Sequence, residues 1–129
     1  MELKSGKAKK RILLVDDDPD ILELLSSRIK SWGLGVLTAE NGEECVRVAR
    51  AEKPDLIFLD IVMPVMNGRE ACTVLKSDPQ TSQIPVVFLT ALAMPEHIEA
   101  GFRCGGAGYI VKPFKGGEIK DQIAQCLNR

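Results

Sequence analysis

Leu56-Ile57-Phe58-Leu59-Asp60-Ile61-Val62-Met63-Pro64 is the stretch whose reading decides the fold. Four apolar residues in succession read as a strand buried on both faces, the habit of a parallel sheet covered by helices on either side. The run ends on a bare carboxylate, Asp60, and Met63-Pro64 makes the next residues a loop rather than a helix. No periodic segment begins there for Asp60 to cap. Such a charge implies that the rest of the chain brings other charged groups to it.

Upstream, Arg11 to Val15 is a second short apolar run, ending in Asp16-Asp17-Asp18-Pro19. Asp18 reads as an N-cap with proline at the first helical position. The helix extends to about Trp32, with Ile21, Leu22, Leu25, Ile29 and Trp32 on one face, and Gly33 stops it. Leu34 to Thr38 is a weaker strand. Asn41 caps a helix from Gly42 to about Glu52 that buries Cys45, Val46, Val48 and Ala49. Downstream, Asn67-Gly68 opens a helix that Asp78-Pro79 ends, and Ile84 to Thr90 is a strand with its proline at the tolerated end. Met94-Pro95-Glu96 starts a fourth helix. Tyr109-Ile110-Val111 is a fifth strand, and a last helix from about Gly117 buries Ile119, Ile123 and Leu127.

Strand and helix alternate five times with short connections, which predicts an α/β fold: a doubly wound, five-stranded parallel sheet of flavodoxin-like (βα)5 type. In its order 2-1-3-4-5, ligands sit beyond the carboxyl ends of the strands, near the switch between strands 1 and 3.

The 129 residues, 45% hydrophobic and 27% charged, make one domain with a real core. Net charge is −1, unevenly placed: residues 1–11 carry five cations against Glu2, a net of +4, which leaves −5 for the remainder. Residues 1–10 read as a basic, flexible, solvated tail rather than a nucleic-acid arm, and 11–129 as the domain. No apolar run approaches the ~20 residues of a membrane span and no secretory segment follows the basic start, so the expected location is cytoplasmic. Cys45, Cys72, Cys104 and Cys126 show no C-x-x-C pair and read as reduced small hydrophobes. His97 is the only histidine, which excludes His-based zinc sites.

At the carboxyl ends of the apolar runs stand Asp16 and Asp17, then Asp60, Thr90 and Lys112. With strands 1 and 3 adjacent, about 4.8 Å apart, three carboxylates converge. Asp55 lies at the opposite end of its strand and is excluded. Hard oxygen ligands without His or Cys suit Mg2+ or Mn2+, and an added lysine and hydroxyl suggest a phosphoryl group on Asp60. Alone, Asp16-Asp17-Asp18 also reads as a solvated turn with a helix cap.

Four pieces carry a resemblance: Leu14 to Pro19, Asp60 to Gly68, Leu89-Thr90-Ala91 and Tyr109 to Phe114, with 30 residues from Asp60 to Thr90 and 22 from Thr90 to Lys112. In that order and spacing, the chain resembles the receiver domain of bacterial two-component response regulators, of the chemotaxis-regulator kind, over residues 11 to 128. The resemblance implies that Asp60 accepts a phosphoryl group from a histidine kinase or phosphotransfer protein. It implies a Mg2+ site of Asp17, Asp60, Asp16 through water and the backbone carbonyl of Val62. Thr90 and Tyr109 would be the switch residues, Lys112 would pair with phosphoryl oxygens, and Lys112-Pro113 would be cis. Tyr109 also reads as a half-buried strand aromatic. Gly106 stands where the family more often has alanine, and Asn67 replaces a common aspartate.

Phosphorylation is expected to alter a surface of helix 4, strand 5 and helix 5, within residues 95–128 and including Ile98, Phe102 and Ile110, for an unknown downstream effector. Val62 and Leu92 flank the path of the attacking water in this family, which predicts slow dephosphorylation. No direct nucleic-acid or membrane partner is expected, and the state is a monomer or a phosphorylation-dependent dimer. A rival reading is a haloacid-dehalogenase-type phosphatase, which expects an acid two residues after the nucleophile; Val62 is there instead. A signalling module rather than an enzyme is the expectation.

Overall fold

Leu56–Leu59 forms strand β3 with all four side chains buried in the computed structural model, which describes residues 9–127. The elements before it are β1 (Arg11–Val15), α1 (Pro19–Ser31), β2 (Gly35–Ala39) and α2 (Gly42–Glu52). After it come α3 (Gly68–Ser77), β4 (Val86–Thr90), α4 (Pro95–Arg103), β5 (Gly108–Val111) and α5 (Gly116–Leu127). The five strands are all parallel, in the order β2-β1-β3-β4-β5. This is the predicted doubly wound topology.

Period-two alternation splits the core into two layers. Leu13, Val15, Ile57, Leu59 and Phe88 pack with Cys45, Val46 and Ala49 of α2 and Ala71, Cys72 and Leu75 of α3. Ile12, Leu14, Phe58, Val87, Leu89 and Ile110 pack with Leu25 and Ile29 of α1 and Ile119 and Ile123 of α5. By contrast, Gly101 is the buried residue of α4.

The expected caps are present. Asp18 and Asn41 accept hydrogen bonds from Asp20 N and Glu44 N, and Gly33 leaves α1 at φ +86°. Asn67 forms a full capping box with Glu70 on α3. Met94 starts α4 without a side-chain cap.

Several boundaries move by a residue or two. Pairing on β1 begins at Gly35 rather than Leu34, because Gly35 N donates to the Lys10 carbonyl at 2.9 Å. Strand β4 starts at Val86: Pro85 has no N–H, though its carbonyl accepts from Ile57 N at 3.0 Å. Val48 and Leu127 are half-buried and Cys126 is buried. Ile110 is a correction. It is 3% exposed and faces the α1–α5 layer, so it is not part of any outer surface; along β5 the residues with partly open side chains are Tyr109 and Val111. Of the basic stretch read as a tail, residues 1–8 lie outside the described residues, and Lys9 and Lys10 are exposed. Among the described residues no helix is long and apolar enough to cross a membrane.

Candidate functional site

Strand pairing carries the chain to the site. Asp16 N donates to the Ala39 carbonyl and Asp60 N to the Val15 carbonyl, at 3.1 and 3.0 Å, so both backbones are fixed one residue past their strands. From β5, Lys112 N donates to the Thr90 carbonyl at 2.8 Å and ties the two outer contributors together. The Lys112–Pro113 bond is cis. On the far side of Asp60, Gly68 N donates to the Ile61 carbonyl at 2.9 Å. A Cβ on Gly68 would come 2.1 Å from the Asp60 carbonyl oxygen, so only glycine lets α3 begin this close to the site. Between them Val65 holds φ +70°, a left-handed conformation that a β-branched residue adopts at a cost of about 1–3 kcal/mol.

Asp16, Asp17 and Asp60 each offer a carboxylate oxygen within 4.8 Å of the others. Asp16 and Asp60 are buried and Asp17 is exposed. Lys112 Nζ donates to Asp16 Oδ2 at 2.6 Å and to Asp60 Oδ2 at 3.3 Å. The remaining oxygens have partners too: Asp16 Oδ1 accepts from Asp18 N at 2.9 Å and Asp60 Oδ1 from Ile61 N at 2.7 Å. Burial raises the Asp16 carboxyl above its ordinary value, against the opposing pull of Lys112. Burial would depress Lys112, but its hydrogen bond to Asp16 and the charge of Asp60 leave it raised.

Thr90 is fully buried at the end of β4, and its hydroxyl oxygen accepts from Leu92 N at 3.4 Å. Tyr109 donates its hydroxyl to the Leu92 carbonyl at 2.8 Å, and its ring lies 6.0 and 6.5 Å, centroid to centroid, from those of Phe88 and Phe102. Burial raises the Tyr109 phenol above its ordinary value. The structure thus brings Asp16, Asp17, Asp60 and Lys112 together. It gathers the polar groups of Thr90 and Tyr109 at a different point, the backbone of Leu92. That bridging role has no sequence signal, because main-chain atoms make it.

A second feature escaped the sequence. Arg69 Nη2, on α3, contacts His97 Nδ1, on α4, at 3.2 Å, and the buried Arg69 Nε has no hydrogen-bond partner. Val62 is 61% exposed beside Asp60 and offers hydrocarbon where a phosphatase would need an acid. Asp55, excluded from the site, instead accepts from Arg11 N at 2.8 Å.

Residues 12–124 match the family described as "Response regulator receiver domain". Among curated relatives, Protein RcaC of Microchaete diplosiphon is 36% identical over 98% of this chain and 20% of its own length. The DNA-binding response regulator MtrA of Mycolicibacterium smegmatis is 35% identical over 94% of this chain and 52% of its own. The chain thus spans about half or less of the length of these relatives. Among solved structures, the Vibrio cholerae chemotaxis protein CheY4 is similar with a TM-score of 0.86 and 30% identity, covering 92% of this chain and 99% of that one. The receiver domain of the Pseudomonas aeruginosa sensor histidine kinase PA1611 is similar with a TM-score of 0.87 and 28% identity, covering 95% of this chain and all of that one. That structure has a magnesium ion coordinated in its active-site cleft.

Proposed function

The chain belongs to the response regulator receiver domain family, the signalling modules of two-component systems rather than true enzymes, and we propose that Asp60 is its phosphoacceptor. The observation that carries this reading is the Lys112 ammonium held between Asp16 and Asp60 at the edge of a three-carboxylate pocket. The donor histidine belongs to a histidine kinase or phosphotransfer protein. An Asp60 oxygen attacks the phosphorus, an O–P bond forms, and the P–N bond to the donor imidazole breaks.

Three carboxylates with one lysine leave negative charge unbalanced, and a donor set of oxygen alone fits a hard divalent cation, Mg2+ or Mn2+. Asp17 and Asp60 would hold it directly, Asp16 through water, with the Val62 carbonyl as a further ligand. When bound, the cation supplies neutralisation of charge on the phosphoryl oxygens. Lys112 gives up its short contact with Asp16 for the new oxygens. Asp60, half enclosed by Ile61 N and Lys112, is oriented before the donor arrives.

Thr90 gains a partner only in the phosphorylated state, which is the differential interaction a population shift needs. Its hydroxyl turns toward the phosphoryl group and leaves Leu92 N. Tyr109, bonded to the carbonyl of that same Leu92, is repositioned with it. The output face is the outer side of α4 with β5 and α5, carrying Ile98 and the half-exposed Phe102, and the effector it meets is unknown. The domain, residues 11–129, acts in the cytoplasm without direct nucleic-acid or membrane contact, as a monomer or a phosphorylation-dependent dimer. Four cysteines without a disulfide suit that compartment.

Incubation with acetyl phosphate and Mg2+, read on phosphate-affinity gels, tests the reading. The wild type is expected to acquire an acid-stable, hydroxylamine-labile phosphate that Asp60→Asn and chelation both abolish. Labelling of Asp60→Asn equal to wild type would sink it. Beryllofluoride that leaves amide shifts along α4 and β5 unchanged would remove the proposed output face. A phosphotransfer profile across histidine kinases identifies the donor.

A further inference from the structure

The phosphoacceptor site leaves unused a line of thiols running from the core to the α3–α4 surface. Cys45 on α2 and Cys72 on α3 are buried, and Cys104, which ends α4, is half-buried. Cys104 lines an open cavity of about 470 Å³ together with Thr73, Lys76, Ser77 and Arg103, so small polar reagents reach it from solvent. Behind it, the Cys72 thiol donates to the Cys104 carbonyl at 3.4 Å. The Cys104 thiol lies near enough that its charge also raises the Cys72 thiol. The Cys104 thiol donates in turn to the Gly101 carbonyl at 3.3 Å. Burial, and after it the neighbouring Cys104, push the Cys72 thiol up to about 12, while the Lys76 ammonium favours its thiolate.

These thiols therefore differ in access while remaining in contact. One lines the open cavity; the other is buried and bonded to the carbonyl of the first. That is the arrangement of an attacking thiol with a resolving partner, in which proximity compensates for the low thiolate fraction of the inner group. We propose that Cys104 and Cys72 form a dithiol oxidised by hydroperoxides, with Cys104 as the residue that meets the oxidant and Cys72 as the one that resolves it.

In the first step the Cys104 sulfur attacks one oxygen of the hydroperoxide. An S–O bond forms, the O–O bond breaks, and the departing hydroxide (or alkoxide) takes up the thiol proton, leaving a sulfenic acid. In the second, the Cys72 sulfur attacks the Cys104 sulfur; an S–S bond forms, the S–O bond breaks, and hydroxide leaves as water with the Cys72 proton. With hydrogen peroxide, two thiols give one disulfide and two waters. The cross-link would join α3 to the end of α4, next to Gly101. A Cβ at Gly101 would meet Tyr109 Cε2 at 3.0 Å, so this end of α4 packs directly on the Tyr109 ring. Restraint of the switch by the cross-link rests on the phosphoacceptor reading; the dithiol itself does not.

Treating the reduced full chain with hydrogen peroxide, trapping with an alkylating agent and mapping tryptic peptides tests the proposal. Cleavage after Lys and Arg puts Cys45, Cys72 and Cys104 on separate peptides. The expected product is a Cys72–Cys104 linked pair, reversed by dithiothreitol, lost in Cys104→Ser and kept in Cys45→Ala. In Cys72→Ser, Cys104 is expected to advance to sulfinic acid unlinked; should that buried substitution prevent folding, the wild-type map and Cys104→Ser decide. Four reduced thiols, a Cys45–Cys72 link, or Cys104 sulfinic acid with Cys72 still alkylatable in the wild type would overturn it. None of these readouts uses phosphorylation, so failure of the dithiol and failure of the Asp60 assignment are told apart.

Discussion

Asp17→Asn tests the acidic pocket through stability, without any phosphate. Asp17 is the exposed member of the triad and lies within 4.8 Å of oxygens on both Asp16 and Asp60. Lys112 contacts Asp16 and Asp60 at 2.6 and 3.3 Å, so the cluster that Asp17 faces carries two anions against one cation, a single net negative charge. At about 5 Å, such a charge repels a carboxylate by about 1 kcal/mol in a water-like medium and by about 3 kcal/mol at an effective dielectric of about 20. Exposure of Asp17 places the value near the lower limit. The variant is therefore expected to be about 1 kcal/mol more stable than wild type in EDTA at low ionic strength, a rise of about 0.5 M in the urea midpoint. Excess Mg2+ should reverse the order. A ligand at a hundredfold its Kd stabilises the folded state by about 2.7 kcal/mol, a gain available to wild type and withheld from a variant lacking one carboxylate. Urea unfolding at neutral pH, followed by fluorescence of the single tryptophan Trp32, gives all four midpoints. A variant less stable than wild type in EDTA, or one that gains as much from Mg2+, would refute the reasoning.

Packing, water access and pH supply three further tests. Gly106→Ala restores the residue common in the family, yet its Cβ would sit 2.8 Å from the Gly101 carbonyl oxygen and from the Phe88 ring. Overpacking of about 1–3 kcal/mol exceeds the ~0.4–1 kcal/mol gained through the unfolded chain, so a lower urea midpoint is expected, and an unchanged or higher one counts against the packing. Val62→Asn gives the attacking water a polar neighbour beside Asp60 and should shorten the lifetime of the phosphate, measured by its release after donor removal; an unchanged lifetime removes Val62 from that role. The Gln80 backbone N–H and, after it, Arg50 hold the Asp78 carboxyl below its ordinary value of 3.8. A depressed folded pKa gives stability present above the ordinary value and lost as pH falls through the folded one. The difference between wild type and Asp78→Asn should therefore shrink on acidification below 3.8 and stay constant near neutrality.

The sheet was legible because most of its strands are apolar runs and three of its helices open on Asp18-Pro19, Asn41 and Asn67-Gly68. Strand ends were less so: the ladder, not hydropathy, excludes Leu34 and Pro85. Ile110 was misplaced because a four-residue strand gives too little alternation to assign its faces. The charged corner was visible since its residues stand at the ends of apolar runs, Asp16 and Asp17 after the same one. Its resting pairs were not, because Lys112 and Asp16 are 96 residues apart in the chain and meet only through the fold.

Those resting pairs bear on how a single charge change can have a directed effect. On one side of Asp60, α3 has a complete capping box, three buried apolar side chains and a glycine pressed against the Asp60 backbone. On the other, α4 has no side-chain cap and buries one glycine, while Thr90 and Tyr109 both hold the Leu92 backbone in the turn that leads to it. A perturbation at Asp60 meets a rigid wall at α3 and a lightly held element at α4. Local stability therefore decides which side yields. Thr90→Ala, which removes one of the two holds on Leu92, should raise hydrogen exchange along the β4–α4 turn and leave α3 unchanged; equal acceleration in both helices would mean that the asymmetry does not govern the response.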